Sequence, residues 1–264
     1  MDQARVSFDH GTHTYRGAAG VYISATQLIG LLHHFDTDLH AAGVKERHGV
    51  DEAYIKDKWH RKSSNANLMG HDFHTLMETL SYAAGLEKQR EKYVKVQNSE
   101  RIGEIHMDYW YWPDGVYNEL LLWNDGLRVA GKADKVILWT DLKTGRRWAD
   151  IEDFKTNERI RRRSYYDRVL LTYEMLHHPL SHLMNCEYDR YSLQLSIYQL
   201  LLELMGFEPG SRTLLHYPPL PDGMEDFPGE RSPKPTVYKL PYLRDEVITL
   251  IHWYAQETQR SDTV

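Results

Sequence analysis

The chain has 264 residues, 41% of them hydrophobic, a formal net charge of −6 and a single cysteine, Cys186. That content suffices for one core, and it excludes a disulfide framework, a four-cysteine iron–sulfur cluster and any apolar run that could span a bilayer. The opening MDQARVSFDH lacks signal-peptide character, so the expectation is a soluble, cytoplasmic protein without membrane contact.

An acidic balance does not advertise a nucleic-acid binder, although an enzyme that must release its product can confine basic charge to one groove. Residues 5–23 alternate like short strands around a turn at Asp9-His10-Gly11. Ser24 with Gln27 is a capping-box pattern that starts a helix. The expected arrangement here is a small sheet packed on the main core. Residues 36–66 are polar and read as helical. From about Met69 to Ala84, Phe73, Leu76, Met77 and Leu80 form an apolar stripe at helical spacing, while His74 and Glu78 share a face. His71 and the His177, His178 and His182 group lack partners at the spacing of a tetrahedral zinc site.

Residues 85–108 are charged and read as solvated. Tyr109 to Trp112 is an aromatic run. Aromatics can stack on single-stranded bases, at ~1–3 kcal/mol each, but beside a strand they are more often core. Tyr117 to Trp123 reads as a strand that turns through Asp125-Gly126, a two-residue hairpin signal that sets Glu119 opposite Lys132. Leu127 to Trp139 and Trp148 to Lys155 flank a Lys143-Thr144-Gly145 turn in a second hairpin pattern. With a loop from Leu142 to Gly145, Asp134 lies across from Asp153, and Lys155 follows on the same face. Two apposed aspartates are destabilising without a compensating cation. A divalent metal would supply it, and Asp, Asp and Lys around a metal suit phosphodiester cleavage. Asp141-x-Lys143-Thr144 repeats the spelling, but it lies roughly 23 Å further along the strand, on the opposite face.

Beyond Lys155, Arg159, Arg161, Arg162 and Arg163 form a basic run where a phosphate backbone could lie, with a solvated helix start as the plain alternative. Residues 189–205 read as a strongly apolar helix with Gln194 and Tyr198 on one face. Arg212 to Tyr217 reads as a strand, 218–235 as a Pro/Gly-rich loop, Thr236 to Leu240 as a strand and Arg244 to Gln259 as a closing helix.

Gly131-x-x-Asp134, Asp153-x-Lys155-Thr156 and Gln194-x-x-x-Tyr198 together resemble the motifs of the PD-(D/E)XK nuclease superfamily, in particular its RecB-like and phage-type exonuclease branch. Gly70-x-x-x-His74-x-x-x-Glu78 resembles the upstream helix motif of that branch, with His71 where a threonine often follows the glycine. The opening strands and YISATQLIG are also similar to phage-type members.

The resemblance implies an α/β, restriction-endonuclease-like core with a mixed central β-sheet flanked by helices. It would form a single nuclease domain over 1–264, comprising an N-terminal embellishment (1–35), a catalytic core (66–217) and a C-terminal loop, strand and helix (218–264). One or two Mg²⁺ or Mn²⁺ ions would be held by His74, Asp134, Asp153 and the carbonyl of Phe154, without an iron–sulfur cluster. Glu78 would support His74 or a neighbour, Glu119 would be a further acid, and Lys155 would serve the attacking water. Gln194 and Tyr198 would orient substrate or a catalytic group. The implied activity is metal-dependent cleavage of DNA, as single strands or duplex ends, by an exonuclease of recombination, repair or replication. It would act in the bacterial host cytoplasm if the gene is a phage's, with a recombination or replication protein as a further partner. A structure- or sequence-specific endonuclease, and an inactive DNA-binding subunit, stay open.

Overall fold

The structure is a computed structural model and describes residues 6–9, 11–12, 14–33, 37–84, 112–168, 171–218 and 234–261. Three short antiparallel strands open it: β1 (Ser7–Asp9), β2 (Thr14–Gly17) and β3 (Gly20–Ser24). Ser24 then closes the capping box: its hydroxyl accepts from the Gln27 amide while the Gln27 side chain accepts from the Ser24 amide, both at 3.0 Å. Two otherwise orphaned donors are satisfied, and α1 (Ala25–Gly30) begins there.

Helix α2 (Thr37–His48) is followed by α3 (Glu52–Ala84), one continuous helix of 33 residues that carries His74 in its second half. β4 (Gly115–Asn124) and β5 (Val129–Thr140) form an antiparallel pair, and β6 (Arg147–Lys155) returns along β5. Lys135 faces Glu152 and Trp139 faces Trp148, the register that the alternation requires for Asp134 to face Asp153. In the connecting turn Asp141 accepts hydrogen bonds from the Lys143 amide (2.9 Å) and the Thr144 hydroxyl (2.8 Å). The repeated acid-x-Lys-Thr spelling is therefore an Asx-type turn far from the motif residues.

After β6 the arginine-rich segment forms no helix. It leads into a two-stranded ribbon of β7 (Tyr166–Asp167) and β8 (Thr172–Tyr173). Helix α4 (Glu187–Leu204) is buried from Ser192 through Leu202, as expected of a helix apolar on every side. It packs on β4, β5, β6 and β9 on one side and on α1 and α5 on the other. β9 (Glu208–His216) runs parallel to β6, β10 (Thr236–Lys239) pairs antiparallel with β9, and α5 (Arg244–Ser261) closes the chain.

The result is an α/β protein whose mixed sheet of 8 strands runs β1-β2-β3-β5-β6-β9-β10, with β4 also on β5. The opening strands are not a separate small sheet. Ile23 and Ser24 pair in parallel with Val129 and Ala130, and so extend the central sheet. The backbone of β5 that β6 does not reach is thereby paired rather than left as an open edge. Among the aromatic run, Trp112 is core: it is buried and stacks on Tyr117 at 5.8 Å. Residues 85–111 and 219–233, with the remaining aromatics and most of the Pro/Gly-rich loop, lie outside the described residues, as do the side chains of His71, Glu78 and Leu80. No helix among the described residues is long and apolar enough to cross a membrane.

Candidate metal centre

The site begins with a break in sheet alternation. On β4 the core-facing residues are Tyr117, then Leu120 and Leu122; on β5 they are Val129 and Ala133, then Val136 and Leu138. The phase slips by one residue on both strands at the same level. Asn118 pairs with Lys135 and Leu120 with Ala133, so Glu119 and Asp134 face each other at the skipped position. Glu119 takes φ 52 there, a left-handed conformation that a non-glycine residue rarely adopts and that concentrates at functional sites.

This register differs by two residues from the expected one, which set Glu119 opposite Lys132. Leu121 takes that place, because the turn spans four residues rather than two: the Asn124 side chain accepts from the Leu127 amide at 2.9 Å, and Arg128 has φ 51. A two-residue shift leaves a side chain on its face, so Glu119 remains beside Asp134. Its carboxylate still meets the Lys132 ammonium, at 3.3 Å.

Helix α3 brings His74 onto this kink. The imidazole Nδ1 lies 3.4 Å from Asp134 Oδ1 and 3.8 Å from Glu119 Oε1, and Nε2 donates to the Phe154 carbonyl at 3.2 Å. A carbonyl can only accept, and the carboxylates call for a second N–H, so the contacts favour an imidazolium. Burial alone would lower the His74 pKa, but the bonds to Asp134 and Glu119 outweigh it and raise it to about 10. The ring thus stands as a cation against Asp134 and the Phe154 carbonyl, two of the groups expected to hold one, and against Glu119. The Phe154 amide donates to Asp134 Oδ2 at 2.8 Å; burial would raise the Asp134 pKa, but His74 and Lys155 hold it below the usual carboxylate range. His74, Glu119 and Asp134 each offer a ligand atom within 4.8 Å of the others, a grouping that could hold a metal ion.

Asp153 stands apart from that trio. It is 1% exposed, and the Lys155 ammonium lies 2.5 Å from its Oδ2 as an ion pair. Oδ1 is buried and accepts no hydrogen bond among the described residues. Burial and the neighbouring Asp134 push the Asp153 pKa up against the pull of Lys155. Burial would lower the Lys155 ammonium, but Asp153 and Asp134 hold it above its ordinary range. Lys155 also sits over the Tyr191 ring, 4.9 Å from its centre. Tyr191 is absent from the motif reading, yet its signal was in the chain: it precedes Gln194 by three residues, the spacing that places both on one helix face.

Gln194 donates to the Tyr198 hydroxyl at 3.2 Å, both buried. The Tyr198 ring packs on the first motif glycine: a Cβ on Gly131 would lie 2.5 Å from Tyr198 Cε1. On α3, a Cβ on Gly70 would lie 3.7 Å from the Thr156 hydroxyl. Gly131 is therefore a place where helix and sheet approach too closely for a side chain, whereas at Gly70 a Cβ would make an ordinary contact. Of the arginines, Arg161 is spent on Glu187, donating through Nε at 2.9 Å and Nη2 at 2.6 Å. Arg162 lies over the Tyr188 ring at 5.0 Å, Arg163 donates to the Tyr173 hydroxyl at 3.4 Å, and Arg159 is exposed.

Comparison with known proteins finds no family model that matches the chain and no curated protein that matches it.

Proposed function

We propose that this protein is a metal-dependent deoxyribonuclease of the PD-(D/E)XK type that degrades DNA from its ends. The observation that carries the reading is the meeting of His74, Glu119 and Asp134 with the ion pair of Lys155 and the buried Asp153 at one break in the sheet. The donor set suits a hard divalent cation, and Asp153 Oδ1 is a buried oxygen in want of a partner. His74 would give up its Nδ1 proton on binding and, with Glu119 and Asp134, hold the ion, while Nε2 keeps its bond to the Phe154 carbonyl and Asp153 adjoins. When bound, it would polarise a phosphodiester and lower the pKa of an attacking water. An imidazole in the set favours Mn²⁺ over Mg²⁺.

Lys155, held charged, donates hydrogen bonds rather than accepting a proton. Its place is to hold the water and offset the negative charge that builds on phosphorus. Tyr191 keeps that ammonium aimed from below, and the Gln194–Tyr198 pair keeps β5 at its distance from α4. The test is cleavage of end-labelled linear DNA and of a covalently closed circle, with Mn²⁺ or Mg²⁺. Shortening of linear strands from their ends, with the circle intact, is expected. Cutting of the circle would make the enzyme an endonuclease on the same site, and no cleavage of either would overturn the proposal.

A further inference from the structure

The ribbon that follows the site carries apolar surface that folding does not explain. Its base is fastened three ways. Arg161 pairs with Glu187 at the start of α4, the Glu174 amide donates to the Tyr165 carbonyl at 2.9 Å, and Asn185 donates to Glu174 through backbone (2.9 Å) and side chain (2.6 Å). Above that base, Tyr165 is 64% exposed, Tyr166 42% and Leu171 73%. Leu171 also has φ 54, unusual for a branched apolar residue. The Tyr166 ring meets Tyr173 edge-on at 5.0 Å, and the Arg163 guanidinium lies 5.9 Å from the centre of the Tyr173 ring.

A ribbon of two residues per strand is too short to be stable on its own hydrogen bonds. Two exposed rings and a leucine on it leave much of their apolar surface uncovered. In sequence they are flanked by the exposed Arg159, Arg162, Arg163 and Arg168, with Glu158, Asp167 and Glu174 as the only acids from 157 to 176. In a chain of net charge −6, this segment has an excess of arginine. Rings beside guanidinium groups match what a single nucleic-acid strand presents, bases with π-faces joined by phosphates. The position fits as well: Glu187, which fixes the base of the ribbon, is one helical turn from Tyr191, the ring beneath Lys155.

We propose that Tyr165 and Tyr166, with Arg162, Arg163 and Arg168, form a platform on which bases of a single DNA strand stack next to the candidate metal centre. This rests on the nuclease reading for the identity of the strand, but not for its measurement. The probe is an oligothymidylate strand, compared with an abasic sugar–phosphate strand of equal length. Binding is followed with Ca²⁺ in place of Mn²⁺, for wild type, Tyr165→Ala/Tyr166→Ala and Tyr165→Phe/Tyr166→Phe.

The alanine pair should weaken oligothymidylate binding by about tenfold or more, since each of two stacked bases contributes roughly fivefold or more, while the phenylalanine pair retains it. Binding of the abasic strand should be the same in all three proteins. Equal oligothymidylate affinity in the alanine pair, or equal loss on both strands, would overturn the platform. A wild type that binds oligothymidylate through these rings but cleaves no DNA with Mn²⁺ would overturn the nuclease reading and leave the platform standing.

Discussion

In the proposed mechanism the chemistry turns on Lys155, whose ammonium is largely covered, charged and paired with Asp153 at 2.5 Å. A group that stabilises charge developing on phosphorus acts mainly in the transition state and contributes little to ground-state affinity. Lys155→Ala should therefore lower the cleavage rate by at least ~100-fold. DNA affinity measured with Ca²⁺ should fall by no more than a single phosphate contact explains. Rate and affinity falling together would make Lys155 an ordinary phosphate clamp. The residue scale was also where the sequence was most legible. Alternation along β5 and β6 was enough to bring Asp134 and Asp153 to one level. Glu119 was harder to place, because its level depends on an Asn124 side chain closing a four-residue turn and on a left-handed φ, neither of which alternation reports.

At the scale of elements, the sheet and α4 are joined at Gly131, where β5 passes directly under the Tyr198 ring. A Cβ there would come to 2.5 Å from Cε1 and 3.3 Å from Cζ, and a buried ring whose hydroxyl accepts from Gln194 has little room to move. Gly131→Ala should cost about 1–3 kcal/mol, the usual range for overpacking, read as a lower urea midpoint at unchanged slope. Combining it with Tyr198→Leu should cost less than the two single losses added, because the clash is shared. Strict additivity would show that β5 shifts away instead. The Gly-x-x-Asp and Gln-x-x-x-Tyr patterns were legible as strings, but not as one contact. Their spacing in sequence says nothing of which ring fills which gap. The opening strands were read correctly as strands and Ser24 as a cap. Their union with β5 could not be read, since parallel pairing of Ile23 with Val129 leaves no local mark.

For the whole molecule, the quantity that decides the proposed metal site is whether a divalent ion stabilises the fold. Glu119, Asp134 and Asp153 gather three carboxylates at one break in the sheet, offset by His74, Lys132 and Lys155. A divalent ion that binds only the folded arrangement stabilises it by mass action, about 2.7 kcal/mol at a concentration a hundredfold above Kd. For a chain of this size that is a rise of about 5–10 °C in Tm.

Wild type should show such a rise with Mn²⁺, and a chelator should reverse it. Asp134→Asn and Glu119→Gln should lose most of it, because each removes a charged ligand from the trio with His74. Lys155→Ala should keep the rise or enlarge it, since a neighbouring positive charge is gone while the three ligands remain. The chain's 15 histidines make adventitious Mn²⁺ binding the competing account, and the variants separate the two. A shift of equal size in wild type, Asp134→Asn and Glu119→Gln would place the metal elsewhere on the surface, and the candidate centre would then be a network of ion pairs around His74 and nothing more.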